Sequence, residues 1–160
     1  MRLNLAVVGR MKDGPERELV ARYVKRAADA GRALGFSGPD VAEIAESRAP
    51  RPEDRRAAEG VSLAKAIGES VIVCLDERGA VLSSEAIAGW LAVKRDGGTK
   101  AVAFVIGGAD GLSEEMRGKA AAIWSFGAAT FPHQIVRILA AEQLYRAMTI
   151  LAGHPYHRGA

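Results

Sequence analysis

The chain has 160 residues, 49% hydrophobic and 26% charged, with a formal net charge of +3. That balance fits a globular chain long enough to bury roughly two-thirds of its unfolded surface. It excludes a polybasic tail protein, and the single cysteine, Cys74, excludes an internal disulfide framework. No apolar run approaches the roughly 18 residues of a membrane span, and the charges that follow the first short apolar run are unlike a signal peptide. The expectations are therefore one domain over residues 1–160, no membrane partner and a cytoplasmic location. Sixteen of the 22 basic residues are arginine, the side chain better suited to bidentate phosphate contacts.

The opening LNLAVVG reads as a first strand ending on Gly9. An amphipathic helix follows, with Leu19, Val20, Tyr23, Val24 and Ala27 at helical spacing and Gly31 at its stop. A weakly alternating second strand is expected over residues 40–45. The proline- and arginine-rich stretch 46–60 starts as a loop and opens a helix running to about Ile67. SVIVCLDE is a central-strand pattern with Cys74 as a small core hydrophobe. A helix capped by Ser83 or Ser84, a strand KAVAFVIGG and a short helix capped by Ser113 follow. AAIWSFGAATF reads as an extended run broken at Gly127, and a long helix runs from Pro132 to Leu151. Strands and helices alternate throughout, so the fold class is α/β with a mostly parallel sheet flanked by helices.

FVIGGADGL, residues 104–112, has the form of a strand feeding a ligand-binding turn. The lysine of a phosphate loop is absent, and Gly107, Gly108 and Gly111 lack dinucleotide spacing. Asp110, Glu114 and Glu115 crowd the next helix start, which disfavours an anion and tolerates a neutral or cationic ligand such as S-adenosylmethionine. A tight strand-to-helix turn with ordinary capping accounts for the same residues. All three histidines, His133, His154 and His157, lie near the C-terminus without i,i+4 ligand spacing, so no metal is expected. The last helix is apolar nearly all round, which suggests that it packs on a second subunit as well as on its own sheet. On it, Glu142 and Arg146 are a stabilising i,i+4 pair, whereas Arg137 lacks an acidic neighbour on its own helix face and is expected to meet a ligand.

FVIGGADGL, WSFGAATFPHQIVRILAAEQLYRA and the ending HPYHR resemble the RlmH family of small SPOUT-class methyltransferases. LNLAVVG and VIVCLDERGAVLSSEAIA extend the resemblance over essentially the whole chain. It implies a C-terminal deep trefoil knot, which general chain-threading rules would never suggest. It also implies a homodimer built on the last helix, and S-adenosylmethionine as methyl donor. The implied substrate is N3 of a pseudouridine in 23S rRNA on the assembled ribosome.

Carried over by position, cofactor contacts fall on Leu75, Gly107, Gly108, Phe126, Gly127, Ala128, Ala129, Thr130 and Phe131. Proton handling is assigned to His157 or Tyr156, with Arg137 orienting the target base; His133 is the second-choice base and fits a structural helix start better. FGAAT is smaller and more apolar than many versions of that loop, and Gly159 and Ala160 extend past Arg158. Arg48, Arg51, Arg55 and Arg56 are a candidate rRNA contact surface, set against a solvated face partly neutralised by Glu53 and Asp54. A SPOUT enzyme with another RNA target and a non-catalytic ribosome-associated factor remain the alternative readings.

Overall fold

The computed structural model describes residues 1–157; Arg158, Gly159 and Ala160 lie outside the described residues. Five strands, β1 (Arg2–Val8), β2 (Ser37–Ile44), β3 (Val71–Val81), β4 (Ala101–Ile106) and β5 (Ala122–Ser125), form one sheet in the order β2-β1-β4-β3-β5. Every pairing in it is parallel. The helices between them are α1 (Pro15–Gly31), α2 (Pro52–Ile67), α3 (Ser84–Asp96), α4 (Glu114–Lys119) and α5 (His133–Leu151).

Alternation along each strand splits the core in two. Leu3, Leu5 and Val7 of β1, with Val102 and Phe104 of β4, meet α1, α3 and α5 on one face. Ala6, Val8, Cys74, Ala103 and Val105 meet Leu63 and Ile67 of α2 and Met116 of α4 on the other. β4 is buried at every residue, as a parallel strand covered on both faces must be, which explains its unbroken apolar run. Burial of each large aliphatic side chain contributes about 1.5–3 kcal/mol, so these two layers dominate stability.

The element boundaries follow local chemistry. The Ser83 and Ser113 hydroxyls accept from Ala86 N and Met116 N and cap α3 and α4. α1 stops at Gly31 as expected, and a 3-10 turn over Arg32–Leu34 follows it to Gly35, which takes the left-handed cap at φ +80. Gly31 is buried because α5 passes over it, and a methyl there would sit 3.0 Å from Met148 Sδ. β2 begins three residues before the expected Asp40, at Ser37, where β1 supplies backbone partners.

β3 departs most from expectation. It runs on to Val81, and a bulge separates Leu75 from Ala80, both of which pair with Trp124 of β5. Asp76, Glu77, Arg78 and Gly79 are thereby pushed out of register at the carboxyl end of the sheet. Among the described residues, no helix is long and apolar enough to cross a membrane.

Candidate active site

Two contiguous cavities of about 280 and 360 Å³ open at the carboxyl ends of β3, β4 and β5 and share Leu75, Trp124, Ser125, Phe126 and Phe131. Each is near the lower end of small-molecule clefts, which run from about 300 to 1,000 Å³. Three segments build the first cavity: the β3 bulge, the turn after β4 and the 125–131 loop. The second cavity is walled by apolar residues of α3 and α5, among them Ile87, Ile135 and Leu139.

The turn after β4 closes through Gly111 N donating to Gly108 O at 3.0 Å. The 125–131 loop is pinned by Ser125, whose hydroxyl bonds both the N–H and the C=O of Gly127 at 3.2 and 2.9 Å. Gly127 has φ +128, a conformation that side-chain-bearing residues rarely adopt, so the glycine of FGAAT is a backbone requirement. Ala128, Ala129 and Thr130 are exposed, so this loop offers mainly backbone groups to a ligand.

The bulge supplies charged residues that sequence reasoning missed. Asp76 and Arg117 form an ion pair at 3.1 Å with both side chains about nine-tenths buried. Arg117 also holds Leu112 O at 2.6 Å and Glu114, so one guanidinium ties the bulge to the glycine turn. The sequence signal for this was the glycine of DERG within a strand pattern.

The three carboxylates of the turn, expected to repel an anion, are paired in the fold. Asp110 receives two hydrogen bonds from Arg55, at 2.6 and 3.0 Å, and this contact holds its carboxyl below the usual range. Glu114 pairs with Arg117, and Glu115 with Lys119 at 2.6 Å. The acidic turn is therefore largely neutralised within the chain. The same contacts divide the arginine cluster: Arg55 is engaged by Asp110 and Arg51 by Asp54, while Arg48 is exposed.

Leu75, Gly107, Gly108, Phe126, Gly127, Ala129, Thr130 and Phe131 line the first cavity together with His133; Ala128 does not. Arg137 is elsewhere. Its side chain is buried, pairs with Glu43 at 3.1 Å, and donates to Val8 O and Gly9 O at 2.7 and 2.6 Å. Its own helix face offers no acidic neighbour, as expected, but Glu43 of β2, 94 residues away in sequence, takes the place expected of a ligand. Burial lowers its pKa and Glu43 opposes that shift. Arg137 is an internal pin across the ends of β1 and β2.

Tyr156 and His157 line neither cavity. Tyr156 donates to Glu142 Oε1 at 3.1 Å, and Arg146 holds the same oxygen at 2.6 and 2.9 Å. His157 lies between Arg146, at 3.2 Å from Nδ1, and Glu85, at 2.6 Å from Nε2. Burial raises the Tyr156 pKa, reinforced by Tyr23 and Glu142. The Glu85 carboxyl is brought down to about 2, first by its bond to His157. Ser84, which bonds Gln143 at 2.8 Å, and Gln143, which donates to Glu142, continue this polar chain to the wall of the second cavity.

A family model described as "Predicted SPOUT methyltransferase" matches residues 1–157. The chain is 57% identical over 159 residues to "Ribosomal RNA large subunit methyltransferase H" of Xanthobacter autotrophicus, covering 99% of both chains. It is also 57% identical to a protein of the same name from a Bradyrhizobium species, covering 99% of this chain and 98% of that one. A solved probable methyltransferase from Bordetella pertussis superposes with a TM-score of 0.50 at 19% identity, over 91% of this chain and 95% of that one. A probable methylase family protein from Haemophilus influenzae gives 0.52 at 13% identity, over 99% and 70%. At such identity the superpositions speak for the fold alone, and with the family match they bear out a knotted, mostly parallel α/β architecture. The chain belongs to the SPOUT methyltransferase family.

Proposed function

We propose that this chain transfers a methyl group from S-adenosylmethionine to N3 of a pseudouridine in 23S rRNA, acting in the cytoplasm on the assembled ribosome. The observation that carries this reading is the cleft itself. The three segments nominated for the cofactor meet at the carboxyl ends of β3, β4 and β5, in a chain that matches its named relatives from end to end.

The residues fit the cofactor. The 125–131 loop presents backbone donors and acceptors for an adenine and ribose, while Leu75, Trp124, Phe126 and Phe131 supply apolar walls. When bound, S-adenosylmethionine supplies an electrophilic methyl carbon for in-line attack by the ring nitrogen. Positioning by these walls provides much of the rate, since aligned reactants in contact gain on the order of 7–11 kcal/mol over free encounter.

The N3 proton must leave, and the tail provides for it. Tyr156 is a protonated phenol at neutral pH, and burial only strengthens that, so its role is to donate to a flanking carbonyl oxygen. His157 serves as proton acceptor once the tail leaves Arg146 and Glu85, which occupy both of its ring nitrogens here. The tail folds onto Glu142, Arg146 and Glu85 of its own chain, apart from its own cleft, which favours delivery to the partner's cleft in a homodimer. Exposed Phe131 and Ile135 continue the apolar wall of α5 and are the surface for that dimer. The whole chain acts as one domain, and Arg48 is the member of the arginine cluster best placed for rRNA phosphate.

The test is transfer of labelled methyl to ribosomes lacking the native modification, with free rRNA alongside. Label at a pseudouridine N3 in whole ribosomes supports the full reading. Label elsewhere in RNA changes the target, and cofactor binding without any label refutes catalysis.

A further inference from the structure

Helix α2 grips the glycine turn from the face opposite α5. Arg55 holds the Asp110 carboxylate, Arg56 reaches Asp110 O at 3.5 Å, and Gly60 lies so close to the Ser113 hydroxyl that an added methyl would sit 2.8 Å from it. Glu59 belongs to the same helix, and its side chain is only 5% exposed. One of its oxygens, Oε1, accepts from Ser47 N at 2.9 Å. The other, Oε2, is buried and has no hydrogen-bond partner among the described residues. It faces Gly108, where a methyl group would sit 3.1 Å from Oε2. Gly108 lines the first cavity, so a single side-chain-free residue separates a buried carboxylate from the ligand space.

Burying a carboxylate oxygen without a partner is unfavourable, and persists where something offsets it. The other carboxylates around the turn have that compensation: Asp76 has Arg117, Asp110 has Arg55, and Glu114 has Arg117. Glu77 lines the cavity but is exposed, where water screens its charge. Glu59 forms no salt bridge among the described residues: Arg55, the cation on its own helix that feels its charge, is held by Asp110.

Resting on the S-adenosylmethionine reading above, we infer that Glu59 is a specificity-determining counter-charge that makes the cleft prefer the cationic sulfonium cofactor over the neutral thioether product. As the methyl group leaves, the S–CH3 bonding pair stays on sulfur and the sulfonium charge disappears. A fixed anion behind Gly108 therefore favours the loaded cofactor and weakens retention of the product.

Three ligands separate charge from shape: S-adenosylmethionine, its amine-bearing analogue sinefungin, and S-adenosylhomocysteine. Their affinities are measured calorimetrically on the full chain and on Glu59→Gln, which keeps an acceptor for Ser47 N. Glu59→Met, a chain of similar length without polar atoms, is the second variant, and melting curves accompany both. The charge reading expects both cationic ligands to weaken by roughly threefold to tenfold and S-adenosylhomocysteine by less than about twofold. Equal weakening of all three, or no change, in both variants assigns Glu59 a purely structural role and overturns the inference. Wild-type protein that binds none of the three overturns the cofactor reading and this inference with it.

Discussion

Gly79→Ala tests the bulge that shapes the cleft. A methyl at Gly79 would lie 2.6 Å from the carbonyl carbon and oxygen of Ile123 and from the carbonyl carbon of Trp124. Ordinary contact begins at 3.4 Å and these are backbone atoms, so β3 and β5 must part by about 0.8 Å. Overpacking of this kind costs about 1–3 kcal/mol, which for a chain of this size lowers Tm by about 2–12 °C. Affinity for S-adenosylmethionine should fall as well, because Asp76, Trp124 and Ser125 move with those strands. Gly89→Ala is the control: Gly89 is exposed within α3 with nothing within 4 Å, so alanine there stabilises by about 0.5–1 kcal/mol. Calorimetric melting and cofactor titration of both variants read the contrast. A Gly79→Ala protein that melts with the wild type and binds cofactor equally well would refute the role given to the bulge.

Arg137→Met leaves Val8 O and Gly9 O without their donor and Glu43 without its cation, so stability should fall by about 3–5 kcal/mol in denaturant titration. Unchanged stability with selective loss of methyl transfer would return Arg137 to a ligand-orienting role. For Glu85 the folded pKa, about 2, is below its ordinary 4.5, so the His157 contact contributes fully above about pH 4.5 and is lost as pH falls through about 2. Carboxyl NMR titration should show that low midpoint and its return toward 4.5 in His157→Ala; a midpoint near 4.5 in the wild type would contradict the tail contact. Arg48→Ala should reduce the salt dependence of ribosome binding by about one counterion without changing Tm, whereas an unchanged slope would remove Arg48 from the interface.

Much of this architecture was legible in the chain because local signals agreed with the global fold. The apolar run of β4, the caps at Ser83 and Ser113, and the length of α5 each follow from patterns a few residues wide. The segments around Gly107, Gly108 and 126–131 were legible through resemblance, and the fold gathers all of them but Ala128 along one cleft. What escaped depends on partners distant in sequence. Arg137 looked free because Glu43 approaches from another strand, and Asp110 looked repulsive because Arg55 neutralises it from α2. The β3 bulge had only the glycine of DERG as its sign in the sequence, and pairing with Trp124 on both sides of four out-of-register residues is what defines it. Glu59 carried no signal at all within a polar helix, since its burial depends on Ser47 and Gly108.

On the function proposed above, one cofactor site is assembled from the β3 bulge, the glycine turn and the 125–131 loop. Amide hydrogen exchange with and without S-adenosylmethionine tests it most directly, because ligand contact slows local opening. Protection should concentrate in residues 75–79, 107–112 and 125–131, with little change in the 9–14 and 45–51 loops. Protection absent from those three segments, or centred on the ends of β1 and β2 beside Arg137, would contradict it.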